Sequence, residues 1–121
     1  MKIDDRFVTP LLQENGSYWI YILKCKNGAY YTGYTHDIVR RYREHVTGTA
    51  KCKYTRSFKP VNIAQCWQWS GNKSTAMKIE KFIKKMKRKD KLQLILNPKI
   101  LSEMFGCKTV SADDIEMSFN D

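Results

Sequence analysis

A chain of 121 residues, 42% of them hydrophobic, has material for one core but not two, and this excludes wholesale disorder. No apolar run approaches the roughly 18 residues of a membrane-spanning helix, and the acidic residues Asp4, Asp5 and Glu14 with no apolar segment exclude a secretory leader, so a cytoplasmic chain that does not enter a membrane is expected. The net charge of +10 is unevenly spread: residues 17–96 hold 18 Lys/Arg against 4 Asp/Glu, while residues 97–121 hold 2 against 5, a basic body that points to a polyanionic partner.

Residues 1–16 read as a leader, poorly ordered or packed through Phe7, Val8, Leu11 and Leu12. Tyr18 to Leu23 is aromatic and β-branched, a strand signal. Lys26-Asn27-Gly28 supplies turn chemistry and Ala29 to Thr35 a second strand, so the pair forms a hairpin. Loop length decides what the hairpin can do. A two-residue loop sends Tyr21 and Tyr31 to opposite faces. A three-residue loop pairs residues 25 and 29, sets Tyr21 opposite Gly33, and brings Tyr31 to the same face. Gly28 in the left-handed conformation suits the longer, bulged turn, which is the expected register.

A helix is predicted from Thr35 or Asp37 to about His45, with Ile38, Tyr42 and Val46 as its buried stripe and Gly48 as its end. Arg41 and His45, four apart, share a face at the border of that stripe. Residues 47–60 read as a basic loop closed by Pro60, and Val61 to Trp69 as a third strand with Ile63, Gln65, Trp67 and Trp69 on one face. Ser74 is expected to cap a second helix running to about Asp90, apolar at Ala76, Ile79, Phe82, Ile83 and Met86 and otherwise lysine-covered. Leu92 to Leu96 extends that helix or packs after it. Asn97-Pro98 breaks the chain, Ile100 to Phe105 adds a turn or two, and residues 106–121 read as an acidic, loosely held tail. The four cysteines, with no Cys-x-x-Cys pair, read as reduced thiols, and His36 and His45 lack partners at zinc-finger spacing.

No Gly-rich phosphate loop, zinc-protease helix or nucleophile elbow is present. Taken singly, the remaining polar candidates fit plain structural roles: Tyr21 and Tyr31 as sheet tyrosines, Arg41 and His45 as helix-surface residues, Glu80 as a neutraliser of Lys78, Lys81 and Lys84. Together they form a pattern. Trp19-Ile20-Tyr21 and, ten residues on, Tyr31-Thr32-Gly33 resemble the paired signature of the GIY-YIG nuclease superfamily. Arg41, His45 and Glu80 follow at compatible spacing, as do Lys53-Tyr54-Thr55-Arg56, Ile83-Lys84-Lys85 and Asn97-Pro98, which resemble the small stand-alone bacterial-type branch. The likeness covers about residues 17–105. Trp19 stands where the superfamily carries a glycine and Thr32 where it carries isoleucine, and there is neither a zinc module nor a DNA-recognition extension.

The resemblance implies an α+β fold, a three-stranded antiparallel sheet flanked by helices, with the site on the face bearing both tyrosines. It implies a DNA endonuclease selective for structure rather than sequence and serving DNA repair, recombination or processing; RNA is not excluded, and if the source is bacterial the protein is nucleoid-associated. Glu80 is then the ligand of one Mg²⁺ or Mn²⁺, a hard ion that completes its shell with water and phosphate oxygens. Tyr21 is the general base, held toward phenolate by Arg41 or the metal, or Tyr31 orients the water in its place. Arg41 stabilises the transition state, and Tyr31 and His45 position or relay the proton. Lys51, Lys53, Tyr54 and Arg56, with Lys84 and Lys85 of the second helix, hold the nucleic-acid backbone, and Asn97 is a weaker candidate. A catalytically silent nucleic-acid-binding module of the same fold is the alternative.

Overall fold

The structure, a computed structural model, describes residues 17–49 and 52–120. The expectations for the leader and for Lys51 lie outside the described residues. Strand β1 (Ser17–Cys25) pairs antiparallel with β2 (Tyr30–Thr35) in the register that sets Tyr21 opposite Gly33 and Leu23 opposite Tyr31. Turn chemistry causes this register. The Gly28 amide donates to the Cys25 carbonyl and the Cys25 amide to Ala29, while Gly28 takes φ +86°, a conformation that disfavours a side chain. Tyr21 and Tyr31 therefore share a face.

Helix α1 (Ile38–Thr47) starts where Asp37 caps the Arg40 amide and stops at Gly48, whose left-handed backbone returns its N–H to Glu44. The expected basic loop contains a short helix, α2 (Lys53–Ser57). Strand β3 (Pro60–Ser70) pairs with β1 on the side away from β2, but its register shifts between Ile22 and Leu23, leaving Ala64 without an opposite residue. Such a bulge reverses the side-chain alternation. Ile63 consequently packs with Tyr21 and Leu23, whereas Trp67 and Trp69 pack on the other face; the expectation that all three share one face is corrected.

Helix α3 (Lys73–Lys84) is capped by Asn72, not Ser74: the Asn72 side chain accepts the Thr75 amide at 2.8 Å. It ends at Lys85, and a separate helix α4 (Arg88–Leu96) follows. The break turns the apolar run back to the sheet, so that Ile83 and Leu94 both reach the core around Trp67. The cluster of basic residues does not predict it; Arg88 donating to the Gly28 carbonyl and Lys91 donating to Tyr30 at 3.1 Å hold α4 across the hairpin turn. Asn97 terminates α4, and α5 (Lys99–Phe105) follows, with the Trp67 indole donating to the Pro98 carbonyl at 3.0 Å.

Residues 108–120 are not a loose tail. Strand β4 (Lys108–Val110) pairs with β3 through Cys66, Trp67 and Gln68, and helix α6 (Ala112–Asn120) returns over the sheet. Ile115 is fully buried among Ile38, Tyr42 and Ile63, and Glu116 accepts the Ile63 amide at 2.8 Å. The acidic composition conceals one apolar position that the core requires. The fold is thus α+β with an antiparallel sheet flanked by helices, as expected, but with four strands ordered β2-β1-β3-β4. One face carries Trp19, Tyr21, Leu23 and Cys66 under α1 and α6; the other carries Ile20, Ile22 and Trp67 under α3, α4 and α5. Among the described residues no helix is long and apolar enough to cross a membrane, and the four cysteines are buried free thiols.

Candidate active site

The site is built on the hairpin. The Tyr21 ring crosses the sheet and lies on Gly33, where an added Cβ would sit 2.4 Å from the phenol oxygen and 2.6 Å from Cζ. Glycine at 33 is therefore required by contact rather than by backbone conformation. The phenol reaches His45, with 2.9 Å between Oη and Nε2, and the other imidazole nitrogen meets the Thr55 hydroxyl at 2.7 Å. The imidazole thus bridges the Tyr21 phenol and the Thr55 hydroxyl, whose oxygen also lies 3.4 Å from the Cys52 carbonyl. His45 and Thr55 are both fully buried.

This burial differs from the sequence expectation, which sets His45 at the border of the apolar stripe. Helix α1 instead buries Ile38, Tyr42 and His45, leaving Val46 half-exposed. Desolvation, and then the nearby Arg41 charge, push the imidazole down to about 4, so His45 is neutral at physiological pH. Its depressed folded-state pKa makes the unfolded chain bind the extra proton between about pH 4 and the ordinary histidine value near 6.5. Stability contributed by His45 is therefore complete above that upper value and is lost as pH falls. Urea unfolding at pH 7 and pH 5 is expected to show wild type losing about 2 kcal/mol more than His45→Asn; equal losses would remove His45 as the titrating group.

Tyr21 shows a second departure. The resemblance implies a phenol held toward phenolate, but burial drives its pKa well above the ordinary tyrosine value, and the Arg41 guanidinium beside it only partly opposes the rise. Desolvation wins because the ring is 2% exposed and Arg41 also ion-pairs with Glu44, Nη1 to Oε1 2.8 Å. Passing the phenol proton to His45 runs against both shifts. In the resting site the pair is phenol and neutral imidazole.

Tyr31 occupies a different environment. It is half-buried, edge-on to His45 with centroids 5.3 Å apart, and stacked on Tyr54 at 5.5 Å and 14°; Tyr54 in turn packs on Phe58 at 5.1 Å. Tyr31, Lys53, Tyr54 and Phe58 border an open groove of about 460 Å³. Arg56 is exposed on the same short helix.

Tyr21, Tyr31, Arg41 and His45 thus come together on one face. Glu80 stands on α3, which covers the opposite face, so the expectation that all five share one wall is not met in that form. Strand β2 is an edge strand of the sheet, and helix α3 packs against β2 and β1. Lys73 and Glu80, seven residues apart, share one stripe of it, about 10 Å apart along the axis, and Lys73 shares a cavity with Arg41. The Glu80 side chain is 14% exposed and ion-pairs with Lys84 at 3.6 Å. As a hard, largely buried oxygen donor whose ion-pair partner among the described residues is one exposed lysine, it suits a divalent cation that completes its shell with water and phosphate; among the described residues no cluster of three His, Cys, Asp or Glu offers a fuller cage. Lys84 and Lys85 are exposed at the end of α3, and Asn97 caps α4 at the joint that Pro98 and Trp67 fasten.

Thr55 is the residue that sequence reasoning passes over. It lies between the basic residues Lys53 and Arg56, and its only signal is its place in the Lys53-Tyr54-Thr55-Arg56 run, which assigns it no role. Its value depends on α2, which the composition does not reveal.

Comparison with known proteins identifies the family of the chain. Residues 17–93 match the family model of the GIY-YIG catalytic domain. The chain is 39% identical over 79 residues to a UPF0213 protein of Halalkalibacterium halodurans, covering 65% of this chain and 82% of that one. It is also 39% identical over 87 residues to a UPF0213 protein of Clostridium perfringens, covering 72% and 91%. The solution NMR structure of the UPF0213 protein from Bacillus halodurans aligns with TM-score 0.43 and 40% identity, over 65% of this chain and 82% of that chain. With the signature tyrosines on one sheet face and the family model spanning most of the chain, the protein belongs to the GIY-YIG family of nuclease-type catalytic domains.

Proposed function

We propose that the protein is a metal-dependent DNA endonuclease, selective for structure rather than sequence, acting in DNA repair, recombination or processing. The observation that carries this reading is the convergence of Tyr21, His45 and Arg41 beneath Tyr31 on one face of the hairpin. Arg41 is a permanently charged donor beside the phenol, suited to the charge that builds on a phosphate under attack. Tyr21, buried and hydrogen-bonded, holds the floor of the site and fixes His45. The water-orienting role falls to Tyr31, which borders open space, rather than to Tyr21. Glu80 would hold one Mg²⁺ or Mn²⁺, which when bound polarises the phosphate and stabilises the leaving oxygen. Lys53, Tyr54 and Arg56 on one side, with Lys84 and Lys85 on α3, grip the strand backbone through contacts that carry little sequence information. Lys51 belongs to the same basic segment.

The test is incubation of the full chain with duplex, branched, nicked and single-stranded DNA in Mg²⁺ or Mn²⁺, with EDTA as the control. Cleavage with metal that stops in chelator is expected, together with binding that weakens steeply as salt rises. Cleavage undiminished in EDTA would overturn the metal requirement. Salt-sensitive binding with no cleavage of any substrate would identify a catalytically silent module instead.

A further inference from the structure

A second cavity, of about 510 Å³, opens beside Arg41 and shares no lining residue with the Tyr31 groove. Of the residues in the sequence motifs, only Arg41 lines it. Its lining includes Tyr18 of β1, Tyr34 of β2, His36 of the loop that follows, Arg40, Arg41 and Glu44 of α1, and Lys73 of α3. We propose that this cavity is a nucleotide subsite, taking the sugar, base and phosphate next to the phosphate that Arg41 engages. The proposal rests on the nuclease reading for its role in catalysis, but not for its ligand chemistry.

Three features favour that ligand. The volume falls within the roughly 300–1,000 Å³ of small-molecule sites. The charge is unbalanced: Arg40, Arg41 and Lys73 face the single carboxylate Glu44, which already ion-pairs with Arg41 at 2.8 Å and lies 4.0 Å from Arg40. A second carboxylate, Asp37, lies outside the lining; it spends one oxygen on the Arg40 amide as the cap of α1 and leaves the other 4.0 Å from Arg40. Lys73 belongs to α3, which packs on the opposite face of the sheet from α1, so the cavity draws its cations from elements on both faces. Finally, Tyr18 and Tyr34 are half-buried neighbours with ring centroids 6.4 Å apart and tilted by 51°. They give the cavity an aromatic wall, and a base or sugar packs on such a wall whatever its sequence. A free phosphate ion needs neither the aromatic wall nor this volume. Because Arg41 borders this cavity and stands beside Tyr21, a strand seated here enters the site next to the reacting phosphate.

The experiment is an NMR titration of the ¹⁵N-labelled full chain with deoxythymidine 3′,5′-bisphosphate, with inorganic phosphate as the comparison. The expected result is saturable shifts at the Tyr18, Tyr34 and Lys73 amides, with the bisphosphate binding more tightly than phosphate. Arg40→Ala/Lys73→Ala should weaken the bisphosphate about tenfold, whereas Lys99→Ala/Lys108→Ala, which removes the same charge elsewhere, should change it less than about twofold. Equal weakening by both pairs, or shifts confined to Tyr31 and residues 53–58, would overturn the subsite. Saturable binding here by a chain that cuts no DNA in Mg²⁺ would instead sink the nuclease reading while leaving a nucleotide site in place.

Discussion

Gly33→Ala should abolish most cleavage and destabilise the chain by about 1–3 kcal/mol, the usual cost of overpacking a core. The substituted methyl would sit 2.4 Å from the Tyr21 oxygen, so one of the two must move. A long flexible side chain would simply swing aside. Tyr21 cannot: its ring is rigid, 2% exposed, and tied to His45 at 2.9 Å. Displacement therefore breaks the buried hydrogen bond as well, and the unpaired phenol and imidazole add their own penalty. The backbone at Gly33 carries no positive φ, so the loss reports side-chain contact alone. Urea unfolding and initial cleavage rates measure the two effects. A variant within about 0.5 kcal/mol of wild type and equally active would show that the ring is free to shift and the packing loose.

Arg41→Ala should lower the cleavage rate constant by about 10²–10³, the magnitude typical of losing one preorganised donor to a developing oxyanion. Stability should change little, because its ion-pair partner Glu44 is itself 25% exposed and can hydrate. Arg41→Lys should recover only part of the rate. A lysine restores the charge but lacks the planar fork that can serve Glu44, the phenol and a phosphate together. Single-turnover rates at saturating DNA separate this from weakened binding. Arg41→Ala cutting within about threefold of wild type would remove Arg41 from the chemistry.

Much of the site is legible in the sequence because its determinants are local. Lys26-Asn27-Gly28 sets a three-residue turn, the turn sets the pairing, and the pairing alone puts Tyr21 and Tyr31 on one face opposite Gly33. Asp37 and Gly48 bracket α1 by chemistry confined to one turn at each end. The basic surface follows from composition, and the spacing of the tyrosines, Arg41, His45 and Glu80 is enough to indicate the family.

Other features require the assembled chain. The bulge at Ala64 is a property of two strands in register, not of β3 alone, and it moves Ile63 to the other face. The break after Lys84 follows from Leu94 and Ile83 having to meet the same core. Lys108–Val110 reads as tail until β3 offers it an unpaired edge, and Ile115 acquires its value only from the hollow among Ile38, Tyr42 and Ile63.

The sequence by itself determined the hairpin, its register and the identities of the reactive groups, because turn and strand preferences act between neighbours a few residues apart. Only the tertiary structure decided their electrostatic states. Burial is a sum over distant segments, and it makes His45 neutral, keeps Tyr21 protonated, and assigns Thr55 a place beneath the imidazole.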